Sequence, residues 1–252
     1  MDVTLLKTIN LSKFFYNFKA LDQVNIEAKK NQITLVIGPN GSGKTTLINT
    51  ISGFYKADEG KILFNNQDIT NKAPNEICKI GLIRTFQIPQ PLKKLTVLEN
   101  LLIAEDNPGE EILKCLKGLW LKKEEEITEK AFHILKFLNL DHLWNVEAYK
   151  LSGGQLKLLE IGRALMRNAK MILMDEPIAG VNPVLAHSIL ERLVKLKNEG
   201  YSFLLIEHKL DIVLNYVNYI YVMAAGKVIA EGDKETVLSN PEVEEVYLSA
   251  SR

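Results

Sequence analysis

Gly38-Pro39-Asn40-Gly41-Ser42-Gly43-Lys44-Thr45-Thr46 follows the pattern G-x-x-x-x-G-K-[ST], and no other stretch restricts the fold of this chain so strongly. Before it, Gln32-Ile33-Thr34-Leu35-Val36-Ile37 is apolar and β-branched with no helical period, which predicts a buried strand. After it, Lys44 to Ile51 can start a helix whose free N–H groups and positive dipole end face the loop. Glycines at 38, 41 and 43 allow the backbone to turn tightly enough for its amides to cradle phosphate oxygens. In such a cradle Lys44 would reach the β- and γ-phosphates, and the Thr45 hydroxyl would ligate Mg²⁺. The pattern implies a nucleoside triphosphate as ligand.

A second stretch supplies acids. Met171-Ile172-Leu173-Met174 is a wholly apolar strand that ends in Asp175 and Glu176, at the strand edge where α/β sheets bind ligands. Asp175 suits the Mg²⁺ shell, and Glu176 suits a general base that polarises an attacking water. The third stretch, Leu151-Ser152-Gly153-Gly154-Gln155, discriminates most among triphosphatases. Ser152 and the glycines open a helix running from Gln155 to about Asn168, so exposed amides again face a possible phosphate.

The rest of the chain organises around these motifs. Residues 1–35 contain β-rich segments, Leu5 to Ile9 and Val24 to Ala28, and Gly60 to Ile69 reads as strand, Asn-Asn turn and strand. An antiparallel sheet should therefore flank the nucleotide core. From Ile88 to Lys150 the character becomes helical, with Val97 to Ala104 and Glu124 to Leu140 as helices; the second carries Ile127, Ala131, Ile134, Leu135 and Leu138 at 3.6-residue spacing. Beyond Ser152, buried strands at Met171 to Met174 and Phe203 to Ile206 enclose a helix from Val184 to Asn198, a βαβ pattern that predicts a parallel sheet. Tyr219 to Glu231 reads as a hairpin turning at Ala225-Gly226. The fold class expected is α/β: a P-loop NTPase core with a mainly parallel sheet, an antiparallel β subdomain and an inserted α-helical subdomain. Residues 1–87 and 151–252 would form the core and 88–150 the helical insertion.

With these motifs in this order, the chain resembles the ATP-binding cassette (ABC) ATPases over nearly its whole length. The resemblance implies that Ser152, Gly153, Gly154 and Gln155 of one subunit contact the γ-phosphate held by the other's phosphate loop, in a head-to-tail dimer closed by ATP. Arg84-Thr85-Phe86-Gln87 resembles the family's glutamine loop, so Gln87 would touch Mg²⁺ or the water and couple to the helical subdomain. His208, after the strand Phe203 to Glu207, matches the histidine that contacts the γ-phosphate. Phe15 resembles the aromatic that stacks on adenine, with Tyr16 as the alternative register. His133, His142 and His187 match no motif. One departure stands out: most members have aspartate where this chain has Asn182, and an amide cannot act as a carboxylate.

Within the family the resemblance is closest to ATPase subunits of branched-chain amino acid importers, through Gly53 to Gly60, Leu95 to Leu102, Pro241 to Leu248 and the Ala179-Gly180-x-Asn182-Pro183 loop. Lipopolysaccharide-export ATPases are similar and remain a competing reading, as do family members acting on DNA or ribosomes. The partners implied are integral-membrane permease subunits, a second ATPase subunit (identical or not) and an extracytoplasmic substrate-binding protein, with the chain peripheral at the cytoplasmic face. Composition agrees with that setting. Lys+Arg and Asp+Glu both number 31, so nothing favours a nucleic-acid partner. The N-terminus lacks the features of a secretory signal, no apolar run approaches a bilayer span, and Cys78 and Cys115 have the spacing of neither a metal site nor a redox pair.

Overall fold

The computed structural model describes residues 3–85, 91–105 and 119–249. Along the chain these form β1 (Thr4–Phe15), β2 (Phe18–Val24), β3 (Glu27–Lys29), β4 (Ile33–Ile37), α1 (Lys44–Ile51), β5 (Glu59–Phe64), β6 (Gln67–Asp68), α2 (Pro74–Lys79) and β7 (Leu82–Thr85). There follow α3 (Val97–Leu102), α4 (Leu119–Phe137), α5 (Gly153–Met166), β8 (Met171–Asp175), α6 (Pro183–Asn198), β9 (Ser202–Ile206), α7 (Leu210–Val213), β10 (Tyr219–Ala224), β11 (Lys227–Gly232), α8 (Lys234–Leu238) and α9 (Pro241–Ser249).

Two compact units result, Met1–Gln87 with Lys170–Arg252, and Ile88–Ala169. In the first unit β4, β8 and β9 are buried at every position, as parallel strands covered on both faces must be. They lie in a six-stranded sheet ordered β11-β10-β4-β9-β8-β7, parallel except for the β11 edge. The second sheet is antiparallel, ordered β2-β1-β5-β6, with β3 also on β1. Its Asn65-Asn66 turn has φ of 49° and 62°, the left-handed pair whose twist matches a two-residue hairpin. Leu6, Leu11, Phe64, Leu47, Ile48 and Leu204 belong to one buried cluster, so the side chains of both sheets and of α1 share a core.

Sequence spacing located β1 only in part. The strand runs on to Phe15 through Asn10, whose φ of 48° sits where the pairing with β5 shifts register. That shift breaks the alternation by which a strand is recognised. The aromatic segment is thus a hairpin, with Phe15 facing Phe18 and Tyr16 at the tip.

In the helical unit, α4 buries Ile127, Ala131 and Leu135, as the 3.6-residue pattern requires. The helix stops at Phe137 rather than Leu140. Asn139 is left-handed (φ 56°), and the Leu140 N–H bonds back to the Leu135 carbonyl at 2.8 Å, which ends the helix in a C-terminal cap. The unit continues to Ala169 instead of ending at Lys150. Its physical reason is Gly162 of α5, where an added Cβ would lie 2.9 Å from Leu101 and 3.1 Å from Leu138, so α5 packs on α3 and the end of α4. Lys130 ties the other end, donating to Glu105 Oε2 (2.6 Å), the Met166 carbonyl (2.6 Å) and Asn168 Oδ1 (2.8 Å). Buried Asn100 anchors the loop before α3. Its Oδ1 accepts the Leu92 N–H at 2.9 Å and its Nδ2 faces the Leu92, Leu95 and Thr96 carbonyls.

Candidate functional site

The loop after β4 lies mid-sheet, at the C-terminal ends of the parallel strands. Gly38 has φ 150°, and a Cβ there would stand 2.1 Å from the Met223 carbonyl of neighbouring β10. Gly43 has φ 104°, and a Cβ would meet the Ala20 carbonyl at 2.5 Å. Only glycine fits either place. Gly43 is also the N-cap of α1, whose first residue is Lys44. The Lys44 ammonium, on a residue only 5% exposed, donates to the carbonyls of Gly38 (2.9 Å) and Pro39 (2.8 Å) and lies 3.3 Å from Ser42 Oγ. Burial pulls its pKa down, and the nearby Asp175 and Glu176 carboxylates oppose that pull.

Asp175 and Glu176 sit at the end of β8. Burial pushes the Asp175 carboxyl above the usual carboxylate range and Glu176 adds to the rise, while Arg84, Lys44 and a hydrogen bond with Thr45 draw it back. A Thr hydroxyl and a carboxylate near one another form a hard-oxygen donor set that fits Mg²⁺, which takes few protein ligands beside phosphate and water. Among the described residues no group of three or more His, Cys, Asp or Glu could hold a metal by itself. Glu176 has φ 53°, an unusual conformation for a side-chain-bearing residue, held by its N–H bond to the Ile206 carbonyl at 2.9 Å. Its Oε1 lies 3.2 Å from His208 Nε2. Two residues from adjacent strand ends are therefore paired beside the loop lysine.

Phe15 packs edge-on against Tyr55 (5.3 Å between centroids), with Lys13 Nζ 5.4 Å from its ring centre. Tyr16 projects fully into solvent. Of the two, Phe15 is the braced platform. In the helical unit Ser152 is the N-cap of α5 in a reciprocal box. Its Oγ accepts the Gln155 N–H (3.4 Å) and its own N–H donates to Gln155 Oε1 (2.8 Å), so the helix takes in Gly153 and Gly154 rather than beginning at Gln155. Asn182 caps α6 through the Leu185 N–H at 2.9 Å, a task an aspartate would also perform. Gln87 and Cys115 lie outside the described residues. His187 Nδ1 contacts the Tyr216 hydroxyl at 2.8 Å, while His133 and His142 lie on the helical unit's surface.

Sequence reasoning missed two residues. Arg84 stands at the end of β7 with Nη1 on Asn49 Oδ1 (2.5 Å) and Nη2 3.8 Å from Asp175 Oδ2, joining α1 to the acid strand. Glu207, 2% exposed, accepts the N–H of Ile178 (2.7 Å) and of His208 (3.2 Å). An acid ending an apolar strand just before His208 was the available signal.

Fold and site together define a nucleotide-binding α/β protein of the P-loop class. The chain belongs to the ABC transporter family, which matches residues 21–179, and it is an ATPase of that family. It is similar to the probable branched-chain amino acid transport ATP-binding protein LivG of Archaeoglobus fulgidus, with 67% identity over 98% of this chain and 96% of the relative. The crystal structure of the ADP conformation of MJ1267, an ATP-binding cassette of an ABC transporter, is 58% identical with a TM-score of 0.86, over 98% of this chain and 99% of that one. A dimeric post-hydrolysis structure of the cassette MJ0796 bound to ADP and Pi is 27% identical with a TM-score of 0.75, over 91% and 98% of the two chains. Among the described residues no helix is long and apolar enough to cross a membrane.

Proposed function

We propose that this chain hydrolyses ATP at the cytoplasmic face of a membrane to drive import of branched-chain amino acids through a separate permease. The observation that carries this reading is the 67% identity, along almost the whole of both chains, with a relative whose name states that transport. It also favours amino acid import over lipopolysaccharide export.

The roles assigned rest on the motifs, and the geometry of the described residues supports them. Loop amides from Gly38 to Thr46 hold the phosphates, Lys44 neutralises their charge, and Phe15 stacks on adenine. Thr45 and Asp175, with Gln87, would hold Mg²⁺, which when bound neutralises charge on the phosphates. Glu176 accepts the proton of the attacking water, and His208, at 3.2 Å, keeps that carboxylate aimed while reaching the γ-phosphate. The partner's Ser152 to Gln155 complete the site in a head-to-tail dimer, so ATP favours closure by mass action. The helical unit and Gln87 pass that closure to the permease, supplied with amino acid by an extracytoplasmic binding protein.

The test is uptake of labelled leucine by vesicles holding the permease and this chain, with binding protein added. Uptake should require ATP and disappear with Lys44→Ala. Glu176→Gln should slow turnover by about 10²–10⁴-fold and elute as a dimer with ATP but not with ADP, and Ser152→Arg should undo that dimer. Leucine uptake that proceeds equally with Lys44→Ala would sink the reading.

A further inference from the structure

Phe15 is the last residue of β1, next to a two-residue turn, and is 38% exposed. The end of a two-stranded hairpin is marginal by itself, and an exposed aromatic there would sample several rotamers. Only one plane of the ring suits stacking on a base, so a contact from outside the hairpin has to select it.

The segment from Phe54 to Asp58, between α1 and β5, supplies such contacts. Tyr55 meets Phe15 edge-on, with ring centroids 5.3 Å apart and planes at 82°. Asp58 holds the strand that carries the ring. Its Oδ2 accepts the Phe14 N–H at 2.6 Å, and Lys13 Nζ lies 3.0 and 3.2 Å from its two carboxylate oxygens. The same ammonium stands 5.4 Å from the Phe15 ring centre. The segment is itself anchored. The Asn49 carbonyl, in the last turn of α1, accepts the N–H groups of Phe54 (2.9 Å) and Tyr55 (3.1 Å), and the Asp58 N–H donates to the Ser12 carbonyl (3.0 Å). Asn71 Oδ1 accepts the Ala57 N–H at 2.6 Å. Through Tyr55 the Phe15 ring is therefore tied to the helix whose first residue is Lys44 of the phosphate loop.

We propose that Tyr55 is a positioning residue for the nucleotide base: it fixes Phe15 in the plane that stacks on adenine before the nucleotide arrives, so that less order has to be imposed on binding. The inference rests on Phe15 as the adenine platform. It adds a residue that never has to touch the base and that acts only through the ring it braces.

Calorimetry of the full chain with ADP and with pyrophosphate separates base from phosphate. Phe15→Ala should weaken ADP by about 5–150-fold, the range for base–aromatic stacking, and Tyr55→Ala by about 3–10-fold, the range for an aromatic pair. Pyrophosphate should bind all variants alike. Tyr55→Phe, which keeps the ring, should restore ADP affinity. Tyr55→Ala should add nothing to Phe15→Ala, because a brace has no task once the braced ring is gone. If Phe15→Ala leaves ADP affinity unchanged, the platform and the brace fall together. If Phe15→Ala weakens ADP and Tyr55→Ala does not, the platform stands and the brace is refuted. A Tyr55→Ala chain that loses pyrophosphate as much as ADP, or whose loss adds in full to that of Phe15→Ala, also overturns the proposal, since the tyrosine then acts elsewhere than through Phe15.

Discussion

Replacing Glu207 with alanine should damage stability and turnover together while sparing nucleotide affinity. The side chain accepts two backbone N–H groups from segments that local structure does not join: Ile178, two residues past Glu176, and His208. Truncation leaves both donors in a place where Glu207 and Ile178 are almost fully buried. An orphaned buried donor costs about 1–3 kcal/mol, so loss of the buried Ile178 bond should lower unfolding free energy by about that much, the part-buried His208 bond adding less. Glu207→Gln keeps one acceptor for the shorter Ile178 bond but presents either its N–H₂ or a weaker acceptor to His208, and should cost about 1–2 kcal/mol. Loss of the clamp also frees Glu176 from the 3.2 Å contact with His208, and a displacement of about 1 Å can slow catalysis by about 10²-fold. Urea unfolding of the nucleotide-free chain at neutral pH gives the first quantity, steady-state ATPase the second, and fluorescent ADP titration checks that the phosphate loop is intact. An alanine variant within about 0.5 kcal/mol of wild type, with unaltered kcat, would show that Glu207 clamps nothing.

Asp175→Asn should give a pH signature. A carboxyl whose folded-state pKa stands above its ordinary 3.8 favours folding when protonated, an advantage complete below that value and lost as pH rises through the folded pKa. The asparagine variant lacks that step, so its stability relative to wild type should improve as pH rises above 3.8 while ATPase activity falls; a gap constant with pH in thermal melts would contradict this. Gly43→Ala places a methyl 2.5 Å from the Ala20 carbonyl at φ 104°, and strain of about 1–3 kcal/mol should appear as ATP affinity weakened roughly tenfold or more in equilibrium titration. Asn100→Leu strips the Leu92 N–H and the Leu92 and Leu95 carbonyls of their side-chain partner and should lower the urea midpoint by the equivalent of about 2–5 kcal/mol, with wild-type stability the refuting result.

Whatever depends on neighbours in the chain was legible in the sequence. The phosphate loop is contiguous, and its glycines, lysine and hydroxyl have meaning only in that order, so strand, loop and helix start at Lys44 could all be read off. The Asn65-Asn66 and Ala225-Gly226 turns were equally visible, since a two-residue hairpin needs left-handed residues just there. Ser152 with Gln155 signals a cap at three-residue spacing, and the wholly buried β8 and β9 announce a parallel sheet by composition alone. Tertiary structure decided what joins residues far apart in the chain. Whether Arg84 reaches Asn49 and Asp175 and whether Glu207 clamps Ile178 depend on strand order, which no local pattern encodes. The end of the helical unit belongs with these: Gly162 looks like an indifferent glycine until Leu101 and Leu138 close on it, and that packing carries α5 into the unit as far as Ala169. Backbone conformation answers to adjacent residues, whereas a side chain's partners are chosen by the fold that brings distant segments together.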